Sequence, residues 1–236
     1  MRIASYNIRK SVGLDWRRDP NRIVDVLAEL DADIVVLQEA DKRIGTRAGT
    51  LPTERLAHQF GYNFADVSTR TDSHGWHGNA ILYRDSLAIS ETQRVTLPSI
   101  EPRGAVSAVF NLPGLGPLRV IGTHLALSGG TRARQVETLK DHICKSHVPT
   151  IVAADFNEWQ HNGRVVRGFG PDFEVIVPGR SFHSARPVAA LDRFVLYSLA
   201  HSVGAGVHKS QLARKASDHL PVYVDIDVTA SRSRAG

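Results

Sequence analysis

The sequence predicts a mixed α/β (α+β) fold of two sheets packed face to face with helices outside, and two observations lead there. Twice, a helical apolar stripe is followed by a short apolar run that ends in carboxylate or amide residues: "NRIVDVLAELDADIVVLQEA" in the first half and "TRARQVETLKDHICKSHVPTIVAADFN" in the second. Such continuous runs suit strands buried on both faces. Between and after these units the chain is strand-rich, with Pro and Gly turns such as "LPGLGP", as antiparallel pairing requires. Strands of this kind are buried on both sides when two sheets stack and helices cover the outer faces.

Taken in order, residues 2–8 read as a strand, and Asp19-Pro20 supplies an N-cap followed by proline at the first helical position. Ile23, Val26, Leu27 and Leu30 then form one apolar stripe, and "DIVVLQ" is the buried strand behind it. A short helix at 53–60 starts at Thr53 and stops at Gly61, a residue that accepts the left-handed conformation. Strands follow at "GNAILYR", "AVSAVFNL" and "LRVIGTHL"; Val136, Leu139 and Ile143 give the second helix its stripe, and "TIVAADFN" its strand. The last strands are "DFEVIV", "LDRFVLYSL" and "HLPVYVDIDV", the final one with Val222, Val224, Ile226 and Val228 on one face. No repeat, low-complexity segment or linker marks a boundary, so one domain over 1–228 is expected, with a disordered basic tail at 229–236.

With 42% hydrophobic and 22% charged residues the composition is that of a soluble globular chain, and no apolar run approaches the roughly 18 residues that span a bilayer. The N-terminus enters a strand without a signal-peptide pattern, which places the expected location in the cytoplasm. Cys144, the single cysteine, excludes an internal disulfide and reads as a core or boundary thiol in a helix. A formal charge of +5 favours an anionic partner such as nucleic acid or lipid headgroups, and a monomer without a stable protein partner is expected. Trp76 and Trp159 lie near polar motifs; core packing is the first expectation for them and flanking a cleft the second.

Polar residues collect at strand ends: Asn7, Glu39, His124, Asp155, Asn157, Asp192 and the pair Asp218-His219. Each has an ordinary reading by itself, as a turn, an Asx-turn, a buried histidine or an ion pair of Asp192 with Arg193. Together they suit phosphate-ester chemistry. A hard divalent cation takes oxygen ligands and one or two carboxylates, which Glu39 and Asp155 supply. Asn7 and Asn157 can orient water or a phosphoryl oxygen without adding negative charge. His219 needs a carboxylate to fix its tautomer, and Asp192 is the candidate.

"SYNIRK", "DIVVLQEAD", "HGNAILYR", "EPRGAVSA", "VIGTHLALS", "VAADFNEW", "ALDRFVL" and "ASDHLPV" resemble the ordered motifs of the endonuclease/exonuclease/phosphatase family, over residues 2 to 228. The resemblance implies a four-layered α/β/β/α sandwich with two mostly antiparallel central sheets, and hydrolysis of phosphoesters with Mg²⁺, for which Mn²⁺ substitutes. By motif, Glu39 would be the principal metal ligand beside Asn7, with Asp218 near a metal. Asp155 and Asn157 would position nucleophile and phosphate. His219, oriented by Asp192, would act as general base or transition-state stabiliser, and His124 as a phosphate contact or general acid. The general base is left shared between His219 and Asp155. Arg103 and Asn79 would contact the substrate, Arg103 through its planar fork. Two departures stand out: Ala154 replaces the usual glycine before Asp-x-Asn, and Arg9 stands where abasic-site endonucleases of the family carry an acidic or amide residue.

The leading functional expectation is a nuclease acting on DNA or RNA, since Lys and Arg contacts to phosphates supply most non-specific affinity for nucleic acid. The alternatives are a phosphatase or phospholipase acting on a lipid headgroup or small phosphate ester, and a catalytically silent binding protein.

Overall fold

A computed structural model describes residues 1–99, 101, 103–113, 116–160, 163–198 and 202–227; Val228 and the 229–236 tail lie outside the described residues. The run Ile34–Gln38 forms strand β2, and every residue in it is buried, because its two faces enter two different cores. Ile34 and Val36 point into an apolar layer between sheets, while Val35 and Leu37 point toward helices. β2 pairs in parallel with β1 (Arg2–Asn7), where Ile3 and Ala4 divide in the same way.

One sheet adds β3 (Tyr62–Phe64), β4 (Ala80–Arg84), β11 (Ser202–Val207) and β12 (Val222–Ile226), in the order β11-β12-β1-β2-β4-β3. The other contains β5 (Ala88–Thr96), β6 (Gly104–Leu112), β7 (Gly116–His124), β8 (Thr150–Asp155), β9 (Phe173–Ile176) and β10 (Asp192–Tyr197), in the order β5-β6-β7-β8-β10-β9. In each sheet one pair is parallel, β1 with β2 and β7 with β8, and the remaining pairs are antiparallel.

The parallel pairs are the two helix-to-strand units. Helix α1 (Pro20–Leu30) is capped by the Asp19 carboxylate, which accepts from the Arg22 amide, and its stripe of Ile23, Val26, Leu27 and Leu30 packs on the first sheet. Helix α2 (Thr53–Phe60) ends on Gly61 at φ 62°, as its sequence requires. Helix α3 (Gly129–Cys144), with the short α4 (Arg164–Gly168), covers the second sheet through Val136, Leu139, Ile143 and Val165. A one-turn helix, α5 (Ala213–Ala216), joins α1 on the first outer face.

The layers are therefore helices, sheet, sheet, helices. The sheets meet through Phe110, Phe194, Val106, Val120, Ile151 and their neighbours. Where β7 crosses β2 the approach is too close for a side chain: a Cβ on Gly122 would lie 2.5 Å from a Val36 methyl.

Three strands were not read from the sequence: β3, β5 and β11, each at the edge of its sheet. Cys144 is exposed, contrary to the core or boundary reading. It follows Ile143 by one helical step, and Leu139 and Ile143 already occupy the inward stripe.

Candidate active site

Parallel pairing brings the C-terminal ends of β1 and β2 to one side, and those of β7 and β8 to the same side of the other sheet. The register sets Asn7 beside Gln38, His124 beside Asp155, and Asp155 opposite Asp192. The stacked sheets then close the remaining gap: Asn7 Nδ2 donates across the interface to Asp155 Oδ2 at 3.1 Å, joining residues 148 apart in sequence.

That carboxylate oxygen is a meeting point. His124 Nε2 lies 3.4 Å from it and His219 Nε2 lies 3.6 Å from it, beyond good hydrogen-bond length but close enough for strong electrostatic interaction. Asp155 Oδ1 accepts from the Asn157 amide at 3.0 Å, an Asx-turn that holds Asn157 at φ 49°, and Asn157 Nδ2 donates to Leu125 O at 2.8 Å. Burial by itself would raise the Asp155 carboxyl, but His124, His219 and the Asn157 and Asn7 hydrogen bonds hold it below the usual carboxylate range.

His219 Nδ1 is 2.9 Å from Asp192 Oδ2, which also accepts from the Ser181 hydroxyl. This is the pairing expected from the sequence. Asp192 does not pair with Arg193; that guanidinium donates to the carbonyls of Ala190, Glu158 and Gln160. Burial would lower the His219 ring, but the carboxylates of Asp192 and Asp155 dominate and raise it to about 9. His124 goes the other way: burial takes it down to about 4, against the pull of Asp155. At neutral pH the two histidines thus differ, His219 carrying a proton on each nitrogen and His124 neutral.

The loop that carries Asp218 and His219 is fastened at both ends. Ser217 Oγ donates to Asn7 O at 2.7 Å, and Leu220 N donates to Ser181 O at 2.9 Å. Phe182 packs on the His219 ring with centroids 4.9 Å apart, and Trp159 meets Phe182 edge-on at 5.9 Å. Asp218 turns toward Arg9, 3.5 Å away.

Glu39 follows β2 at φ 52°, in a stretch where Arg9, Lys10 and Ser11 also have positive φ, the kind of backbone strain that tertiary contacts maintain at functional sites. The Glu39 carboxylate pairs with Lys10 and lies 3.6 Å from Arg43. Burial, with Arg43 adding to it, lowers the Lys10 ammonium to about 8.

Glu39 and His124 open onto a cleft of about 350 Å³, whose wall includes Lys10, Lys42, Arg43, Arg47, Arg70 and Arg103. Arg103 donates to His124 O at 3.4 Å and lies 3.4 Å from Glu101. Asn79 is fully buried and gives its amide to Gly104 O at 3.0 Å, behind Trp76, so it braces the cleft wall.

Of the two tryptophans, Trp76 is half-buried and lines the cleft, whereas Trp159 is exposed beside Phe182. Trp159 thus departs from the core-packing expectation, because Phe156 and Val165, on either side of it in sequence, fill the core under α3. Lys10, Ser181 and Phe182 carry no sequence signal of their own, although Lys10 closes the "SYNIRK" motif.

Asp155, Asp192 and His219 bring ligand-type atoms within 4.8 Å of one another. A profile of the endonuclease/exonuclease/phosphatase family matches residues 4–219. YbhP of Escherichia coli is 28% identical over 218 residues, 86% of each chain. The mannosyl-6-phosphatase Bt3783 of Bacteroides thetaiotaomicron superposes with TM-score 0.76 at 18% identity, covering 96% of this chain and 99% of that one. Danio rerio TDP2, solved with a single-stranded DNA product, superposes with TM-score 0.71 at 19% identity, covering 95% and 97%. The ordered motifs, the four layers and the match over nearly the whole length place the chain in the endonuclease/exonuclease/phosphatase family of divalent-metal-dependent phosphoester hydrolases.

Proposed function

We propose that the chain hydrolyses phosphodiesters at the Asp155 carboxylate with a divalent cation, Mg²⁺ first and Mn²⁺ as its substitute. The observation that carries the reading is the convergence of Asn7, His124 and His219 on Asp155 Oδ2.

Glu39, Asn7 and Asp218 fit the cation. They are hard oxygen donors, and the crowding of Lys10 and Arg43 on Glu39 marks a seat of negative charge. The trio of Asp155, Asp192 and His219 fits it less well, since the His219 ring bears its proton and Asp192 is already engaged by His219 and Ser181. When bound, the cation polarises a phosphoryl oxygen and offsets developing charge.

The chain's own residues do the rest. Asp155, unprotonated, accepts the proton of the attacking water, with Asn7 and Asn157 fixing its two oxygens. His219, held by Asp192, donates to the phosphoryl oxygen as charge builds there, and as the new P–O bond forms the P–O bond to the leaving alcohol breaks, the alkoxide taking its proton from solvent. His124 contacts phosphate as a neutral imidazole. Arg103 borders the phosphate site, and Asn79 supports it from behind.

The cleft's six cations suit nucleic acid and phospholipid headgroups alike. We take the headgroup as the reading to test first, because arginines and lysines line the cleft wall while Trp76, its one aromatic besides histidine, is half-buried against the core between the sheets. The test is turnover of plasmid DNA, bis-p-nitrophenyl phosphate and phosphatidylglycerol vesicles with Mg²⁺, Mn²⁺ or chelator. Metal-dependent hydrolysis of the soluble diester and the lipid, lost in Glu39→Ala, supports the proposal. Plasmid nicking without lipid turnover moves the substrate to nucleic acid, and inactivity toward all three with every metal refutes catalysis.

A further inference from the structure

Among the described residues six large apolar side chains stand exposed: Trp16, Ile44, Leu127, Trp159, Val188 and Val203. The first five lie on loops at the active-site end of the sheets. Trp16 is on the loop after β1, Ile44 on the loop after β2, Leu127 after β7, Trp159 after β8, and Val188 on the loop leading into β10. Contacts tie three of them to the site, and chain position a fourth. Arg9 lies over the Trp16 ring at 4.5 Å while its Nε faces Asp218. Trp159 and Val188 both contact Phe182, the residue packed on His219. Ile44 sits between Arg43 and Arg47 of the cleft wall. Trp16 is 78% exposed, Ile44 88% and Leu127 75%, so these side chains take no part in either core, and five of the six stand on loops at one end of the sheets.

Charge on the same five loops is one-sided. Residues 8–19, 39–52, 125–128, 156–163 and 177–191 hold nine lysines and arginines against five carboxylates. All five carboxylates are engaged inside the protein: Asp15 by Arg22, Asp19 by the start of α1, Glu39 by Lys10 and Arg43, Asp41 by Ser73 and His74, and Glu158 by Arg132. Exposed Arg17, Arg180 and Arg186 have no such partner among the described residues. Exposed apolar side chains that include two tryptophans, on loops with surplus arginine, have the composition of surfaces that settle into the headgroup region of an anionic bilayer.

We propose that the active-site end of this chain docks on anionic phospholipid membranes, with Trp16, Ile44, Leu127, Trp159 and Val188 entering the headgroup layer and the loop arginines binding lipid phosphates. A headgroup then reaches the cleft without leaving the bilayer. The choice of lipid as partner rests on the headgroup reading of the site, but the docking itself is a property of the loops and is measured apart from turnover.

The test is cosedimentation with phosphatidylglycerol or phosphatidylcholine vesicles at low and high salt, fluorescence anisotropy with a single-stranded oligonucleotide, and hydrolysis of soluble bis-p-nitrophenyl phosphate. Wild-type protein is expected to partition onto phosphatidylglycerol and only weakly onto phosphatidylcholine. The double variant Ile44→Ser/Leu127→Ser is expected to lose at least about tenfold in vesicle partition while turning over the soluble diester normally. Arg17→Ser/Arg186→Ser should weaken vesicle binding and flatten its salt dependence. Absence of binding to phosphatidylglycerol, equal binding by wild type and the Ile44/Leu127 variant, or loss of oligonucleotide affinity in place of vesicle affinity would each overturn the docking proposal. Soluble diester turnover that survives such a result leaves the catalytic reading standing; vesicles bound but not cleaved leave docking standing and remove the headgroup as substrate.

Discussion

Replacing Asp192 by asparagine keeps the shape of the buried pocket and removes the charge that holds a proton on His219. The ring is raised from an ordinary 6.5 to about 9 against a burial effect that alone would lower it, and Asp192, 2.9 Å away, is the largest favourable cause. That displacement corresponds to on the order of 3 kcal/mol of preference for the charged ring. With Asp155 and Asp218 as the remaining carboxylates that raise it, burial weighs more heavily in Asp192→Asn, and His219 should titrate well below its wild-type value. The asparagine can also present its amide to Nδ1, which leaves a neutral ring whose Nε2–H is a weaker donor than that of the imidazolium. Together these changes are expected to lower kcat by at least about a hundredfold at neutral pH, with Mn²⁺ affinity nearly unchanged because Asp192 is committed to His219 and Ser181. Ring titration by NMR, calorimetric Mn²⁺ binding and hydrolysis of bis-p-nitrophenyl phosphate measure the three quantities. Turnover at the wild-type rate, or a ring that still titrates near 9, would show that Asp192 does not set the state of His219.

In metal-free protein the two histidines should give stability a maximum near pH 6.5. The folded pKa of His219 lies above its unfolded value, so its contribution is complete below about 6.5 and is lost as pH rises toward 9; His124, depressed to about 4, favours the unfolded state as pH falls below 6.5. Urea midpoints across this range should fall on both sides, by up to on the order of 3 kcal/mol, with His219→Gln flattening the alkaline side and His124→Gln the acid side. Midpoints that do not respond to pH would refute the assignment of charge. Phe110, fully buried between the sheets and edge-on to Tyr83 at 5.6 Å, should cost about 3–5 kcal/mol when cut to alanine, read by denaturant unfolding; a cost under 1 kcal/mol would mean that the sheets do not depend on this contact.

Local sequence pattern identifies the elements that are buried on both sides and the residue types at their ends. Ile34 to Leu37 could be read as a strand because each face of it enters a core, and the stripes of α1 and α3 could be read because one face packs and the other is solvated. The strands β3, β5 and β11 escaped for the opposite reason. As edges they leave much of their surface in solvent; β5 is largely exposed, and β11 carries Gly204 and Gly206 in place of apolar side chains, so neither shows a buried period. The one-turn helices α4 and α5 are too short for a stripe to form.

At the site, motif order named Asn7, Glu39, His124, Asp155, Asn157, Asp192 and His219, and the bond between His219 and Asp192 is present as expected. What each one faces is a matter of how the two sheets pack. Asn7 and Asp155 belong to different sheets, and their contact exists because two parallel pairs end on the same side of the stack. The opposite states of His124 and His219 follow from how many carboxylates reach each ring, a property of distance after folding. The exposure of Trp159 is likewise set by its neighbours, since Phe156 and Val165 fill the core beneath α3. Local pattern records whether a residue is buried; which distant residue it meets is fixed only when the sheets close on each other.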